Sequence, residues 1–584
     1  MRGLILIIMK KNESIKDRLA YLSRYLKEHP HLVNKIHQQL LISLHTKNFI
    51  SINQIYNEAL GSKAHKLMNS LDPNQGIAIR WDNKLRASIH SIVQKYSAMF
   101  FTTKEIENIV NLVRKREEAQ TLDDITKLPG ISFKVLAMRL KEYCSLPKSG
   151  IELTLPEITG LKVSLIKKFI SDQLEFINIA KKFFNISDIK SIIDNSFGAD
   201  EEIGKIGGKA AGMILAHRII TKEKEKFKME ISDDLLIPES YFIRSNVYED
   251  FLKHNKIGYF KNQKYKSMEQ VKNEYPMIKE IFKNAEFPPY IVIQLKRFLK
   301  RVGTHPLIVR SSSHLEDNFG SAFSGKYDSI FLANQGSFKE RFNNLLGAIA
   351  EVYASTIGPN PILYRQEKNL IDYDEEMAVL IQKVVGFKYY DYFLPAFSGV
   401  GFSINEYRWS PKIKKEDGLL RMVVGLGTRA VERASTDYPA MISLSHPDLS
   451  PKIYYRDIKQ YSQRFVDVIN LKKNRIESIS FTTLLKDENF PFLDKLVSVF
   501  KDGLVTPPFH KKFFSKPEEL CITFFNLLNR TDFPEKMKLL LKTLETTYNS
   551  PVDVEFAFDG KNFFTTQKIT SRVFYLNTKD SQSM

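Results

Sequence analysis

The sequence from 306 to 329 reads Pro306-Leu307-Ile308-Val309-Arg310-Ser311-Ser312-Ser313-His314-Leu315-Glu316-Asp317-Asn318-Phe319-Gly320-Ser321-Ala322-Phe323-Ser324-Gly325-Lys326-Tyr327-Asp328-Ser329. Its apolar start predicts a strand, and an arginine and three serines stand where that strand ends. The small residues that follow can fold closely over a triphosphate, and arginine can bind two phosphate oxygens at once. A hairpin with a serine-rich turn is the alternative, but it does not explain the arginine and serines. We therefore predict a phosphate-binding strand and loop.

A second glycine-containing stretch lies upstream, directly before a helical pattern. It reads Gly204-Lys205-Ile206-Gly207-Gly208-Lys209-Ala210-Ala211-Gly212. Glycines before a helix let backbone N–H groups approach a phosphate, and the helix N-terminus adds partial positive charge. Lys209 adds a mobile point charge. The stretch is neither a Walker A motif nor the GxGxxG of a Rossmann unit, and an ordinary turn is the alternative.

Four further segments complete a pattern that resembles one known family. They are Met377–Gln382, Ser398–Ser403, Gly425–Arg429, and Asp553–Ala557 with Thr566-Gln567. With the two stretches above, they follow the order of the nucleotide-binding domain shared by phosphoenolpyruvate synthase, pyruvate phosphate dikinase and rifampin phosphotransferase. The resemblance covers residues 203 to 570 and implies an α+β, two-lobed nucleotide-binding domain of the ATP-grasp type.

The resemblance implies how ATP would be held. Lys209 and Arg310 would bind its phosphates. Gly325 and Ser329 would belong to the loop over the triphosphate, and Gln382 would lie near the adenine.

The resemblance also implies a metal site on the closing pair of strands. Glu555 would hold Mg²⁺ with Gln567 beside it, and these two residues and Arg310 would be catalytic. Spacing agrees with this placement, since a turn at Asp559-Gly560 sets Glu555 opposite Gln567. A carboxylate and an amide oxygen suit a hard cation that also binds phosphates. A solvated strand residue is the alternative for Glu555.

One position departs from the family. The family usually places an arginine two residues after the closing glutamine, aimed at the transferring phosphate, whereas this chain has Ile569. Lys568 cannot replace it, because adjacent strand residues point to opposite faces. Arg429, Arg433 or Arg572 would have to supply the charge. Loss of such a charge can lower turnover by orders of magnitude while nucleotide binding is retained.

The family's phosphorylatable histidine stands on a swivelling domain that is followed by a barrel. We expect neither here, because the chain ends soon after the closing strand. His314 in the phosphate-loop motif and His446 in Ser445-His446-Pro447-Asp448 are candidate acceptors. Neither lies in the sequence context of a swivelling domain, so we interpret both as ordinary loop histidines.

Periodicity and composition predict three regions along the chain. They are a helical accessory domain at 1–195, an ATP-grasp first lobe with the phosphate loop at 196–405, and a second lobe at 406–584 with a helical insertion at about 455–545. The second lobe would close with strands at 552–558 and 563–568. Pro129-Gly130 and Thr159-Gly160 resemble helix-hairpin-helix elements that bind DNA, with a plain turn of a helical bundle as the alternative.

The composition predicts a globular protein of the cytoplasm. Hydrophobic residues make up 43% of the chain and charged residues 26%, and Cys144 and Cys521 are too few for a disulfide framework. The apolar stretch Gly3–Ile8 is too short for a signal segment or a membrane span.

The net charge of +19 admits nucleic acid, a membrane surface or an anionic substrate as partners. Lysines are spread along the chain without a basic run. We therefore attribute the positive charge to a generally lysine-rich composition and a phosphate site rather than to nucleic-acid binding, and we expect no membrane partner.

These patterns predict an ATP- and Mg²⁺-dependent phosphotransferase module related to phosphoenolpyruvate synthase. Its acceptor would be a separate phosphohistidine-domain protein or a small molecule. A nucleotide-binding regulatory or scaffolding protein with weak turnover is the alternative.

Overall fold

A computed structural model describes residues 14–60, 83–146, 153–232, 235–316, 325–431, 437–449, 451, 455–486, 489–508 and 516–570. The stretch Gly3–Ile8, and Arg433 and Arg572, lie outside the described residues. The chain divides into two compact units. The first takes residues 1–129 and 135–161, and the second takes 130–134 and 162–584.

The described chain begins with helices. They are α1 Ile15–Glu28, α2 Val33–Thr46, α3 Ile52–Leu60, α4 Asn83–Phe100, α5 Thr103–Lys127, α6 Phe133–Ser145, α7 Leu155–Phe169, α8 Leu174–Phe183 and α9 Ile186–Asp194. A capping box fixes where α5 starts: the Thr102 hydroxyl accepts from the Glu105 N–H, and the Glu105 carboxylate accepts from the Thr102 N–H. Apolar residues at helical spacing, such as Leu22, Ile36 and Leu40, form one buried cluster in the first unit.

The two dipeptides that resemble helix-hairpin-helix elements differ in structure. Pro129-Gly130 lies in a turn between α5 and α6, where Gly130 has φ +69°. Thr159-Gly160 lies inside α7, so the interpretation of this pair as a turn was wrong. Leu161 and Leu165 bury one face of α7, and this burial outweighs the roughly 1 kcal/mol that a glycine costs within a helix.

Strands appear from residue 196 onward. They are β1 Ser196–Phe197, β2 Leu235–Leu236, β3 Ser240–Ile243, β4 Leu307–Ser313, β5 Ser329–Leu332, β6 Met377–Lys383, β7 Phe387–Tyr389, β8 Tyr392–Leu394, β9 Phe397–Phe402, β10 Leu419–Val423, β11 Ala440–Ser443, β12 Phe465–Asn470, β13 Arg475–Ser480, β14 Val497–Lys501, β15 Leu504–Thr506, β16 Leu520–Ile522, β17 Val552–Phe558 and β18 Phe563–Thr570.

Helices alternate with these strands. They are α10 Gly208–Thr221, α11 Asn246–His254, α12 Met268–Lys283, α13 Pro289–Val302, α14 Phe338–Ser355, α15 Pro359–Glu367, α16 Thr428–Val431, α17 Tyr455–Gln460, α18 Phe481–Leu484, α19 Leu493–Leu496, α20 Phe525–Asn529 and α21 Phe533–Tyr548. The architecture is α+β, as predicted.

The first sheet has the order β1-β3-β6-β4-β5. Strand β4 lies between the central strand β6 and the edge strand β5 and is antiparallel to both. Leu307 and Val309 of β4 are fully buried in a core that helices α11 to α14 complete. The strand predicted at the apolar start of the 306–329 stretch is therefore confirmed.

The second sheet has the order β11-β10-β9-β17-β18-β2. Strands β17 and β18 form the predicted hairpin, whose turn is held by the Asp559 carboxylate accepting from the N–H groups of Lys561 and Asn562. Gly399 of β9 lies under the Phe556 ring, and an added Cβ would come within 2.7 Å of that ring. Strands β2 and β9 belong to this sheet although their sequences fall within 196–405.

Two smaller sheets have the orders β13-β12-β8-β7 and β15-β14-β16. Strands β12 to β16 fall within 455–545, so the prediction of a helical insertion was wrong for this part of the chain. Val466 and Val468 of β12 are buried at strand spacing, and Asn474 turns β12 into β13 with φ +52°. Lysine-rich flanks obscured that alternation in the sequence. Within the described ranges, each helix is too short or too polar to cross a membrane.

Candidate functional site

Gly207 and Gly208, at the start of α10, fit closely against the end of β4 and the residues that follow it. A Cβ on Gly207 would lie 1.6 Å from the carbonyl oxygen of Ser312, and one on Gly208 would lie 1.8 Å from that of Glu316. Gly207 also has φ +80°, a conformation that favours glycine. Close backbone approach therefore requires both glycines and brings the glycine loop and the serine-rich strand together.

Ser312 joins these two segments through its side chain. Its Oγ accepts from the backbone N–H of Ala210 at 3.0 Å and donates to the carbonyl of Ile206 at 2.8 Å. Ala210 lies in the first turn of α10, where helix N–H groups have no partner within the helix. The sequence predicted a phosphate at this helix N-terminus, and a serine from β4 takes one of its donors instead.

Lys209 is buried and its charge is balanced by Glu316. Lys209 Nζ lies 2.9 Å from Glu316 Oε1 and 3.2 Å from Ser311 Oγ. Glu316 is 1% exposed and also accepts from the Ser311 hydroxyl and from the Ser313 N–H. A buried carboxylate with a cation and two donors is a satisfied group. Lys209 therefore lies beside the serine-rich strand end, where its partners are protein groups, and its role as a phosphate ligand stays a prediction.

Arg310 and Glu555 connect the two large sheets. Arg310 Nη2 lies 2.7 Å from Glu555 Oε2, and the two side chains are 10% and 16% exposed. Arg310 lies on β4 of the first sheet and Glu555 on β17 of the second. The structure thus brings together the predicted phosphate ligand and the predicted metal ligand, while Lys209 reaches Ser311, the next residue along β4.

The other residues predicted to bind nucleotide lie on the first sheet or beside it. Gln382 is 1% exposed, and its Nε2 donates to Ser240 Oγ at 3.0 Å and lies 3.1 Å from Met213 Sδ. Ser329 begins β5 directly across from Arg310 and is exposed. Gly325 has φ +70°. Ser329 therefore lies beside Arg310, whereas the Gln382 amide faces the core.

Gln567 lies opposite Glu555 in the register of β17 and β18, as the turn predicted. A bulge follows directly, between Glu555 and Phe556. The side chains of 566–570 lie outside the described part of the chain. Among the described side chains, no group of three or more His, Cys, Asp or Glu residues could hold a metal ion. The Glu555 carboxylate still suits a magnesium ion, which usually takes one or two carboxylates and fills its shell with phosphates and water.

Arg429, one of the three residues named above in place of the family's arginine, is held by protein partners. Its Nε donates to Asp467 Oδ1 at 2.9 Å and its Nη1 to Asp437 Oδ2 at 3.1 Å, and Nη2 donates to Ser478 Oγ. Two carboxylates and a hydroxyl therefore hold this guanidinium against β12 and β13. Arg433 and Arg572, the other two residues named for this charge, lie outside the described residues.

The two candidate acceptor histidines have local partners. His314 Nε2 lies 3.4 Å from Glu376 Oε2. This contact, with the Ser245 hydroxyl donating at 2.9 Å, lowers the pKa of Glu376 to about 2, although burial opposes it. His446 Nδ1 lies 2.8 Å from Ser445 Oγ. Both residues lie outside helices and strands, and their interpretation as ordinary loop histidines stays a prediction.

Glu375 is a buried carboxylate that the sequence did not single out. Its Oε1 accepts from the Ser313 hydroxyl, its Oε2 accepts from the Tyr327 hydroxyl at 2.7 Å, and Arg365 Nη1 lies 3.5 Å from Oε2. Burial raises the pKa of Glu375, while the Ser313 hydrogen bond, Arg365 and the Tyr327 hydrogen bond lower it.

Glu316 and Glu375 were both missed as site residues for the same reason. Lys209, the cation beside Glu316, lies on α10, and Tyr327, which donates to Glu375, precedes β5, so each carboxylate has a partner that is distant in sequence. Two signals were present in the sequence. Glu316 follows the serine-rich strand, and Glu375 precedes the apolar run of β6, a place where an acid is seldom buried without partners.

Residues 203–573 match the family model described as pyruvate phosphate dikinase, AMP/ATP-binding domain. This range contains all six segments that carried the resemblance, and it covers more than half of the 584 residues. No curated protein matches the chain.

Proposed function

The chain belongs to the family of the AMP/ATP-binding domain of pyruvate phosphate dikinase, and from this premise we propose that it is an ATP- and Mg²⁺-dependent phosphotransferase of the dikinase type. Family membership itself indicates an ATP/AMP-binding domain of a phosphotransferase. The observation that carries the finer proposal is the contact between Arg310 and Glu555 across the two large sheets. A phosphate-binding cation and a metal-binding carboxylate must meet in such an enzyme.

The residues would act mainly by position and charge. Arg310 and Lys209 would bind phosphate oxygens, and Ser329 and Gly325 would belong to the loop over the triphosphate. Phosphoryl transfer passes through a state whose charge is spread over the phosphoryl oxygens, so fixed cations stabilise it. Bound magnesium would screen the polyphosphate, and Glu555 with Gln567 would hold it in place.

We propose an ATP-grasp arrangement for this domain, with Gln382 on the adenine side. The two sheets that carry Arg310 and Glu555 would be its lobes, predicted at 196–405 and 406–584. The region 1–195 would be a helical accessory domain. Two cysteines in 584 residues agree with a cytoplasmic setting.

The acceptor would be a histidine on a separate protein, or a small molecule. In the dikinase route the β-phosphoryl group goes to the acceptor, the γ-phosphoryl group goes to water and is released as phosphate, and AMP remains. The full chain should therefore release AMP when it is incubated with ATP, Mg²⁺ and candidate acceptors, with products separated by ion-exchange chromatography. ADP as the sole product would contradict the dikinase route.

Matched variants make this assay specific for the site. Glu555→Ala and Arg310→Ala should abolish AMP release, while Glu416→Gln, which removes an exposed carboxylate, should not. Release that persists in both site variants would point to a contaminating enzyme.

The second candidate is a nucleotide-binding regulatory or scaffolding protein. Ile569 favours it, because the family's arginine is missing at that position. ATP binding without turnover, unchanged by Glu555→Ala, would support this candidate over the phosphotransferase.

A further inference from the structure

One exposed face of α13 carries a concentrated positive charge. This helix, Pro289–Val302, has no acidic residue, and four cations stand within six residues of its second half. All four are exposed to solvent: Lys296, Arg297, Lys300 and Arg301. Within the described ranges, none of these four side chains forms an ion pair with a carboxylate.

Helical geometry gathers these cations on one side of α13. At 3.6 residues per turn, the four side chains span an arc of about 140°. The buried residues of the helix, among them Phe298 and Leu299, occupy the opposite side. The cations recur four residues apart, so the second pair lies about 6 Å beyond the first along the helix axis. Phe298 and Leu299 separate the two pairs in the chain, which is why the sequence shows no basic run.

Aromatic rings on α14 underlie two of the cations. Lys296 Nζ lies 5.4 Å from the centroid of the Phe342 ring, and Lys300 Nζ lies 5.9 Å from that of the Phe338 ring. Such contacts limit the rotamers of a long side chain without neutralising its charge. Less conformational entropy is therefore lost when an anion binds these ammonium groups.

Carboxylates on the adjoining elements have partners of their own. Glu340 caps the N-terminus of α14, and Glu239, directly before β3, is paired with Lys383. Asp250 accepts from the Tyr290 hydroxyl in the first turn of α13, at the other end of that helix. The positive charge of the second half of α13 is therefore left for an outside partner.

A positively charged face without an apolar centre suits a nucleic acid better than a protein or a membrane. Protein interfaces bury an apolar core and are depleted in lysine, whereas nucleic-acid interfaces are much more positively charged. Ile293, one turn before the cations, is exposed, but a single apolar side chain makes no such core. A helix that binds a membrane buries its apolar face in lipid, and the apolar face of α13 already lies in the protein core.

We propose that this face of α13, formed by Lys296, Arg297, Lys300 and Arg301, binds the phosphate backbone of a nucleic acid without reading its sequence. Lysine and arginine neutralise backbone phosphates, and each arginine can bind two oxygens of one phosphate. This binding is separate from the proposed function, because the residues assigned to ATP and Mg²⁺ lie on other elements.

Salt-dependent DNA binding tests the proposal. Fluorescence anisotropy with the full chain and a labelled duplex of about 20 base pairs should give a dissociation constant of about 10⁻⁴ to 10⁻⁶ M near physiological salt. A fourfold variant should bind at least about tenfold more weakly, and its slope of log affinity against log salt should be smaller by about 2–4. It combines Lys296→Gln, Arg297→Gln, Lys300→Gln and Arg301→Gln.

A matched variant controls for net charge. It removes the same number of positive charges at exposed positions away from α13, and should bind DNA within about twofold of the wild type. It combines Lys253→Gln, Lys272→Gln, Lys412→Gln and Lys472→Gln. Equal weakening in both fourfold variants would overturn the proposal, because net charge alone would then explain the binding. Circular dichroism checks that both variants fold.

Competing anions identify the partner. Two duplexes of unrelated sequence should bind alike, and a preference above about tenfold would overturn binding through the backbone alone. Competition by polyglutamate as strong as that of DNA at equal charge would indicate an acidic protein instead. Tighter binding of phosphatidylserine vesicles than of DNA, lost in the α13 variant, would indicate a membrane surface. A wild-type chain that binds no DNA would refute the proposal, whatever the outcome of the AMP-release assay.

Discussion

Arg310 and Glu555 form an ion pair between two different sheets, with Arg310 Nη2 2.7 Å from Glu555 Oε2. In the proposed function the arginine binds phosphate and the carboxylate binds magnesium. Each group therefore has a protein partner that it must leave when Mg²⁺ and ATP bind. The pair keeps both mostly buried charges compensated in the ligand-free chain, since an unpaired charge at such exposure is costly.

If Arg310 and Glu555 leave each other to bind phosphate and magnesium, Glu555→Ala should have an unusual effect on ATP binding. The variant removes the Glu555 carboxylate from Arg310, so ATP should bind roughly threefold to tenfold more tightly when magnesium is removed with a chelator. The variant also removes the proposed metal ligand, so added Mg²⁺ should no longer strengthen binding. Calorimetric titration with and without Mg²⁺ measures both effects.

Glu416→Gln serves as the control for this titration, because it removes one negative charge at an exposed position. It should bind ATP as the wild type does in both conditions. Weaker binding of magnesium-free ATP by Glu555→Ala would show that Arg310 and Glu555 do not exchange partners in this way.

A second prediction concerns the buried pair of Lys209 and Glu316. Lys209→Met leaves Glu316, which is 1% exposed, without its cation and should lower the free energy of unfolding by about 3–5 kcal/mol. The double variant Lys209→Met with Glu316→Gln should recover most of this loss, because the amide can still bond Ser311 and the Ser313 N–H. Urea unfolding monitored by circular dichroism measures these differences.

ATP affinity should respond differently in the same variants. Both lack the Lys209 ammonium, so both should bind ATP more weakly than the wild type, whatever their stability. Recovery of ATP binding in the double variant would show that Lys209 acts only through the fold.

The strand that carries Arg310 and the closing hairpin could be predicted from the sequence because their signals are local. Apolar runs define β4 and β17, and the turn at Asp559-Gly560 sets Glu555 opposite Gln567. The residue types of the site also followed from the chemistry of phosphate.

The partners of those residues could not be predicted, because they depend on pairing between distant segments. Lys209 meets Glu316 only because β4 packs against α10, and Arg310 meets Glu555 only because two sheets adjoin. Local periodicity carries no information about such long-range contacts. For the same reason, the strands within 455–545 were mistaken for helix.

A pH-dependent prediction concerns His37 in the first unit. Its ring stacks on that of His90 at 3.9 Å between centroids, and burial, with a contribution from His90, lowers the pKa of His37 from 6.5 to about 4. The folded state thus favours neutral His37. This contribution to stability is complete above pH 6.5 and is lost as the pH falls towards about 4, because only the unfolded chain takes up the proton.

His37→Gln should remove this pH dependence. Between pH 7 and pH ~4, the wild type should lose about 3 kcal/mol more stability than the variant does. Unfolding by urea at a series of pH values measures the difference. His45→Gln, which replaces an exposed histidine at the end of α2, should follow the wild type. Parallel profiles for wild type and His37→Gln would contradict the prediction.

The last prediction concerns a variant, Ile569→Arg, that restores the charge which the family carries two residues after its closing glutamine. Ile569 lies opposite Asp553 in the register of β17 and β18, and the alternation of a strand predicts that residues 567 and 569 share a face. An arginine there could reach the transferring phosphate, where one preorganised donor is worth about 10²–10³ in rate. Ile569→Arg should therefore raise the rate of AMP release at least about tenfold and change ATP affinity little.

Lys568→Arg, on the opposite face by the same alternation, should leave the rate unchanged. If Ile569→Arg binds ATP normally and its rate does not rise, the chain lacks more of the catalytic arrangement than one arginine, and the regulatory or scaffolding role becomes the better account of why ATP is bound.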